Sequence, residues 1–123
     1  METARQALGV LGEELAFHAL KRRGYTVLLR NYECPLGEID LIAKEKGFLV
    51  FIEVKTRTSD AMGSPAEAVT FEKRRQIVRV AKFYLKRYGI DVACRFDVVA
   101  VSLIPNEDPD IEVIEAAFGE DAC

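Results

Sequence analysis

The stretch from Gly37 to Arg57, GEIDLIAKEKGFLVFIEVKTR, constrains the fold more than any other part of the chain. Residues 48–54 (FLVFIEV) are nearly all apolar, which is typical of a strand that is buried on both faces. Residues 37–44 (GEIDLIAK) predict a preceding strand, and Glu45-Lys46-Gly47 predicts a short hairpin turn between the two strands. The stretch therefore predicts an antiparallel hairpin whose second strand is deeply buried.

Charged residues interrupt this apolar hairpin. Glu53 lies inside the apolar run, and Lys55 points to the same side because side chains alternate along a strand. Asp40 lies between Ile39 and Leu41 on the first strand of the hairpin. A buried charge is costly unless it is paired or binds a ligand, so these positions call for an explanation.

A metal site is one explanation for these charges. Antiparallel neighbours lie about 5 Å apart, so Asp40 and Glu53 converge on one cation if the strand register allows it. Two carboxylates with backbone oxygens and waters suit Mg²⁺ or Mn²⁺. A neighbouring Lys55 would lower the pKa of a metal-held water or stabilise charge on a phosphorane-like transition state. The pattern predicts phosphodiester chemistry.

The plain alternative is a surface ion pair between Glu53 and Lys55 at a strand end, with Asp40 as an incidental acid. A short E-x-K pattern by itself favours this alternative because such tripeptides are common. The longer pattern joins G-E-I-D to E-V-K-T-R at the end of an apolar run, and Glu53 follows Asp40 by 13 positions. This combination favours a metal site over a surface ion pair.

The remaining elements follow from periodicity and from stop signals. Leucines at helical spacing predict a first helix that ends before Gly24, and a capping pattern at Ser64 or at Thr70 predicts the start of a second. The predicted elements are a helix over 3–23, strands over 25–32, 37–44 and 48–56, a helix to about Tyr88, a strand over 95–103 and a weaker edge strand over 111–118. The order α-β-β-β-α-β-β predicts an α/β fold with a mixed sheet flanked by helices.

Composition predicts a single domain over residues 1–123 that is located in the cytoplasm. No apolar run approaches the roughly 20 residues of a membrane span, and the N-terminus lacks the apolar core of a signal peptide. Three cysteines without metal-site spacing predict neither disulfides nor zinc. The C-terminal segment from about 105 contains seven acids and no Lys or Arg, which leaves residues 1–104 with 17 basic and 13 acidic residues. A basic body of this kind can bind a polyanion.

Candidate phosphate contacts lie on the second helix and the third strand. The helix carries basic residues along the side opposite its apolar stripe: Arg75, Arg79, Lys82 and Lys86. A solvated outer face explains such a row equally well, although only one acid accompanies seven basic residues between 72 and 88. Lys73 lies on the apolar side, where it either extends past the sheet edge to solvent or reaches a bound phosphate. Arg57 shares the strand side of Lys55.

A resemblance to a known family rests on GEIDLIA and FIEVKTR, with GEELA upstream and GSPAEAVTFEKRRQIVRVAKFYL downstream. Together these segments, within residues 7–101, resemble the YraN family of small bacterial proteins. That family is grouped with PD-(D/E)xK nucleases, which have a restriction-endonuclease-like fold, and is compared with archaeal Holliday junction resolvases. The resemblance implies that Asp40 and Glu53 are metal ligands, that Lys55 is the catalytic lysine and that Glu14 is the additional acid. Ile39 stands where the superfamily motif has proline.

The function expected from the residues and the resemblance is metal-dependent cleavage of structured or branched DNA with Mg²⁺ or Mn²⁺ as cofactor. The comparison with resolvases also implies a homodimer, because two strands have to be cut. The alternative is a nucleic-acid-binding module of the same fold with little or no hydrolytic activity. Retention of Asp40, Glu53 and Lys55 favours the enzyme, because binding alone has no chemical need for all three.

Overall fold

A computed structural model describes residues 3–59 and 69–119 of the chain. It contains two helices and five strands in the predicted order, which confirms the α/β fold class. The elements are α1 (Ala4–Arg22), β1 (Thr26–Cys34), β2 (Gly37–Glu45), β3 (Phe48–Arg57), α2 (Phe71–Arg87), β4 (Cys94–Ser102) and β5 (Asp110–Phe118). Boundaries predicted from the sequence differ from these by at most two residues where both ends are described.

The five strands form one mixed sheet in the order β1-β2-β3-β4-β5, with β5 at the predicted edge position. Strands β3 and β4 are parallel, and the other neighbours are antiparallel. Ala16 and Leu20 of α1 pack with Val50 on one face of the sheet. Ile77 of α2 packs with Phe51 on the other face. Because helices cover both faces, β3 is buried on both sides as its apolar run predicts.

The hairpin turn between β2 and β3 consists of Lys46 and Gly47, whose φ angles are 51° and 83°. Positive φ at both central residues is the geometry of the two-residue type I′ turn, which matches the twist of the flanking strands. Glu45 and Phe48 are the ladder pair that closes the turn. The predicted hairpin is confirmed.

Helix α1 begins at a capping box formed by Thr3 and Gln6 and packs on the sheet through Gly12, Ala16, Ala19 and Leu20. The leucine stripe predicted from the sequence is therefore partly wrong, since Leu11 is 47% exposed. Small residues replace it because the helix lies very close to β3. A side chain at Gly12 would collide with the hydroxyl of Thr56.

Helix α2 follows Thr70, whose hydroxyl accepts a hydrogen bond from the Lys73 amide at 3.2 Å. This is the second of the two predicted starts, and the capping pattern at Ser64 lies outside the described residues. Gly89, with φ of 62°, follows the end of the helix as predicted. Within residues 3–59 and 69–119, neither helix is long and apolar enough to cross a membrane.

A buried group of polar side chains, here called the Arg95 cluster, joins β4 to the start of β1 and to β2. Asp97 is fully buried and accepts hydrogen bonds from Tyr25 at 2.7 Å, from Arg95 at 2.9 Å and from the amide of Ala116 at 3.0 Å. Arg95 also donates to Glu45 at 2.8 Å. Because each buried oxygen and nitrogen of this group has a partner, the cluster meets the condition for burying charge.

Candidate metal and nucleic-acid site

The ladder between β2 and β3 ends at the pair Leu41 and Ile52. The next positions on the two strands are Asp40 and Glu53, so the register brings these acids to opposing positions at the open end of the ladder. The Oδ2 atom of Asp40 accepts a hydrogen bond from the amide of Val54 at 2.8 Å. A side-chain carboxylate therefore takes the place of a backbone acceptor, which fixes Asp40 beside β3.

An irregularity in β2 accounts for the position of Asp40. Ile39 and Ile42 both pack on the α2 face of the sheet, although they are three positions apart and regular alternation would place them on opposite faces. Leu41 packs on the α1 face. Strict alternation would put Ile39 and Leu41 on the same face, so the strand is distorted at Asp40 and its side chain is freed from the regular pattern.

Glu53 carries the strongest electrostatic perturbation in this part of the sheet. Its side chain is 11% exposed, and burial together with the charge and hydrogen bond of Asp40 raises its pKa to about 8. Lys73 and Lys55 act in the opposite direction but do not outweigh these effects. At neutral pH the pair of acids therefore holds a proton, and a divalent cation is the natural replacement for that proton.

A groove of about 730 Å³ lies next to the pair, between the N-terminal half of α1 and the C-terminal end of β3. Three cationic side chains line it, namely Arg5, Lys55 and Arg57. Two acids, Glu13 and Asp40, also line it. The groove thus combines groups that bind a cation with groups that bind an anion, which is the composition that a metal-assisted reaction on phosphate requires.

The additional acid of α1 differs from the one that the resemblance implies. Glu14 is exposed, and its carboxylate binds Arg30 at 2.7 Å and His18 at 3.3 Å. Hydrogen bonding to Arg30 lowers its pKa. Glu13 instead lies in the groove, where burial and the charge of Asp40 raise its pKa. The structure therefore places Glu13, and not Glu14, in the groove beside Asp40.

Helical phase is the signal that would have identified Glu13. Gly12 and Ala16 face the sheet, and each residue of a helix is rotated by about 100° from the one before. Glu13 thus remains near the sheet and on the groove side, whereas Glu14 is turned by about 200° from the buried line. The resemblance implies Glu14, whereas the rotation of α1 places Glu13 beside the groove.

The predicted phosphate contacts divide into two groups. Lys73 and Arg57 lie near the acids: the Lys73 ammonium is 3.8 Å from Glu53, and the Arg57 guanidinium donates to Ser102 at 3.1 Å while lining the groove. The other four lie on the exposed side of α2, away from the sheet: Arg75, Arg79, Lys82 and Lys86. The structure does not bring this exposed row to the acids.

The donor set fits Mg²⁺ or Mn²⁺. Among the residues that the structure describes, no group of three His, Cys, Asp or Glu side chains is arranged to hold a metal ion. Asp40 and Glu53 nevertheless provide two carboxylates at the end of a rigid ladder. Mg²⁺ is commonly held by one or two carboxylates, with waters and substrate phosphates completing its octahedral shell.

Fold and site together define an α/β protein with a carboxylate pair at the open end of a hairpin and a cationic groove beside it. Residues 12–101 match the model of the uncharacterised protein family UPF0102. The chain belongs to this family, which is the YraN family that its motifs resemble.

Relatives in the same family are similar along nearly the whole chain. A UPF0102 protein of Caldicellulosiruptor saccharolyticus is 47% identical over 93% of this chain and 98% of its own length. A UPF0102 protein of Desulfosudis oleivorans is 44% identical over 96% of this chain and 94% of its own length. A solved structure described as "Crystal structure of SSO0001" is 20% identical, covers 96% of this chain and 55% of its own, and has a TM-score of 0.39.

Proposed function

We propose that this protein is a Mg²⁺- or Mn²⁺-dependent endonuclease that binds structured or branched DNA and hydrolyses its phosphodiester bonds. The observation that carries the proposal is the half-buried pair of Asp40 and Glu53, with Asp40 and Lys55 lining the adjacent groove. Two acids that repel one another without a cation, next to a lysine in a groove, suit metal-assisted attack on a phosphate. The branched substrate is suggested by the resemblance to resolvases and is the first one to test.

Each residue has a defined part in the proposed reaction. Asp40 and Glu53 would hold the metal, which supplies Lewis acidity when bound. The ammonium of Lys55 would donate hydrogen bonds to the phosphate oxygens as negative charge grows on them. Arg57 and Arg5, further along the groove, would hold neighbouring phosphates and so set the position of the strand.

The reaction is a hydrolysis, so water is the only co-reactant. The oxygen of a water molecule forms a bond to phosphorus while one ester P–O bond breaks. The water loses one proton and the leaving oxygen gains one. Glu13 is half-buried in the groove, where burial and the charge of Asp40 raise its pKa, and it is the acid of α1 placed to exchange a proton there.

A second function is a nucleic-acid-binding module without hydrolytic activity. The exposed basic row of α2 favours it, because Arg75, Arg79 and Lys86 lie on the side of the helix that faces away from the acids. Contacts to phosphates through such a face need no metal and no chemistry. Binding and cleavage therefore have to be measured separately.

The test compares Lys55→Ala with Glu53→Ala on a labelled four-way junction in Mn²⁺. Loss of Lys55 should leave folding and Mn²⁺ binding nearly intact while the cleavage rate falls by about 10²–10³, because one transition-state contact is lost. Loss of Glu53 should remove cleavage and also the rise in melting temperature that Mn²⁺ produces, because a metal ligand is lost. Cleavage on denaturing gels and melting by calorimetry provide the two measurements.

Lys44→Ala is a matched control, since Lys44 is exposed on β2 and lies outside the groove. It should retain both cleavage and the Mn²⁺ response. If the wild-type protein binds Mn²⁺ and the junction but leaves every DNA and RNA substrate intact, the nuclease proposal is wrong and the binding module takes its place.

A further inference from the structure

Lys73 lies in the first turn of α2, on the side of the helix that faces the sheet. Its ammonium is 3.8 Å from Oε2 of Glu53, and its side chain is 34% exposed. Lys55 approaches the same acid from β3. Cations from two elements thus act on Glu53, and Lys73 is the one that lies within 4 Å of its carboxylate; only Lys55 belongs to the hairpin pattern.

The contact between Lys73 and Glu53 is loose. A hydrogen-bonded ammonium and carboxylate lie about 2.7–2.9 Å apart, so 3.8 Å corresponds to attraction between charges without a hydrogen bond. In the Arg95 cluster, by contrast, Arg95 and Asp97 are 2.9 Å apart and joined by two hydrogen bonds. Lysine is a compact charge on a flexible chain, so Lys73 can turn from Glu53 to another anion at small cost.

A divalent cation at Asp40 and Glu53 would compete with Lys73. The ammonium lies 3.8 Å from a proposed metal ligand, and two positive groups this close repel one another. Lys73 therefore has to move when the metal binds. The nearest new source of negative charge is the phosphate that the metal itself attracts.

We infer that Lys73 is a resident counter-ion of Glu53, which a divalent metal displaces and which then binds a phosphate oxygen of the substrate. This inference rests on the proposed function for its second step. Its first step, competition with the metal, stands on the distance between Lys73 and Glu53 alone. The two steps predict opposite effects of removing the lysine, namely tighter metal binding and slower cleavage.

The experiment compares Lys73→Met and Lys73→Arg with wild type, using Mn²⁺ alone and then Mn²⁺ with a four-way junction. Lys73→Met should bind Mn²⁺ about tenfold more tightly, because a competing charge is removed. The slope of junction binding against salt should fall by about one unit, because one phosphate contact is lost. Lys73→Arg keeps the charge and should bind Mn²⁺ as wild type does.

Lys44→Met is the matched control, because it removes an equal charge from β2 at the far end of the hairpin. Its Mn²⁺ affinity should equal that of wild type. Unchanged or weaker Mn²⁺ binding in folded Lys73→Met would show that Lys73 supports the site instead of competing for it. Lys73→Gln, which keeps a polar side chain, replaces Lys73→Met if the latter does not fold.

Failure of the nuclease proposal remains distinguishable from failure of this inference. If the wild type cleaves nothing but Lys73→Met still binds Mn²⁺ more tightly, the counter-ion is established and the enzyme is not. If neither wild type nor Lys73→Met binds Mn²⁺, the inference is wrong.

Discussion

Two groups of acids in the same sheet differ in how their negative charges are compensated. In the Arg95 cluster, Asp97 has no exposed surface and receives hydrogen bonds from Arg95, Tyr25 and a backbone amide. At the end of the hairpin, Glu53 has another acid, Asp40, as its hydrogen-bond partner, and its nearby lysines, Lys73 and Lys55, do not outweigh the effects of burial and of Asp40. The Arg95 cluster is therefore a complete group, whereas Asp40 and Glu53 form an incomplete group whose negative charge is not fully compensated.

The difference separates a structural site from a candidate functional one more clearly than burial does. Buried charge with a full set of partners links the elements of a fold, and nothing further has to bind. A largely buried acid whose pKa is raised by a second acid costs stability when it is ionised, and such a cost is typical of sites that bind ions or perform chemistry. The degree to which partners compensate the charge of an acid therefore indicates function better than the burial of that acid does.

The largest expected effect comes from disrupting the Arg95 cluster. Asp97→Ala should lower the free energy of unfolding by about 3–5 kcal/mol, because the guanidinium of Arg95 keeps only Glu45 as an acidic partner and the hydroxyl of Tyr25 loses the acceptor of its hydrogen bond. Chemical denaturation followed by circular dichroism measures this change. Glu33→Ala, which removes an exposed acid of β1, should stay within about 0.5 kcal/mol of wild type. A small loss in Asp97→Ala would mean that the cluster is not the structural link described above.

The next effect concerns pH and the incomplete group. The pKa of Glu53 in the folded protein, about 8, lies above the 4.5 of an ordinary glutamate, so the folded state favours the protonated acid. Its contribution to stability is present below about pH 4.5 and is lost as pH rises through about 8. The metal-free protein should lose up to about 1.4 kcal/mol per pH unit across this window.

Glu53→Gln isolates the contribution of this residue, because glutamine cannot lose a proton. The metal-free variant should show a flatter stability profile between about pH 4.5 and 8 and should melt above wild type at pH 8. It should also lose the Mn²⁺ response. Stability is measured by denaturation at each pH. If the stability–pH profiles of wild type and Glu53→Gln run parallel, Glu53 does not have the raised pKa described above.

The smallest expected effect concerns which glutamate of α1 belongs with Asp40 and Glu53. Glu14→Ala should leave the melting temperature and the Mn²⁺ response nearly unchanged, since exposed ion pairs contribute little. Glu13→Gln should reduce the Mn²⁺ response, because a negative charge close to Asp40 is lost. Thermal melting of both variants with and without Mn²⁺ tests whether Glu13 or Glu14 contributes to the site. A response lost in Glu14→Ala and kept in Glu13→Gln would restore the original assignment.

Local patterns were sufficient to predict the hairpin and the order of elements. The apolar run of β3, the Lys46-Gly47 turn and the helix stops at Gly24 and Gly89 are signals that act within a few residues. The facing positions of Asp40 and Glu53 follow from that turn, because turn length fixes register. These predictions needed no information from distant parts of the chain.

Features that depend on contacts between distant segments were missed. Tyr25 and Asp97 are 72 positions apart and Arg95 and Glu45 are 50 apart, so no local pattern indicates that they meet. The choice between Glu13 and Glu14 depends on how α1 is rotated about its axis. That rotation is set by the close contact of Gly12 with Thr56, which only the assembled fold reveals.

The unequal pairing of β3 has a mechanical consequence for the site. On one side β3 remains hydrogen-bonded to β4 through the pair Arg57 and Ser102, and on the other its ladder with β2 stops at Ile52. The half of the site that belongs to β3 therefore opens only when the centre of the sheet does. Asp40 is held by a different strand, since the β1–β2 ladder continues on both sides of it and only its side-chain hydrogen bond to Val54 joins it to β3 here. Separation of the two acids would therefore require the loss of that one bond and not the opening of the sheet.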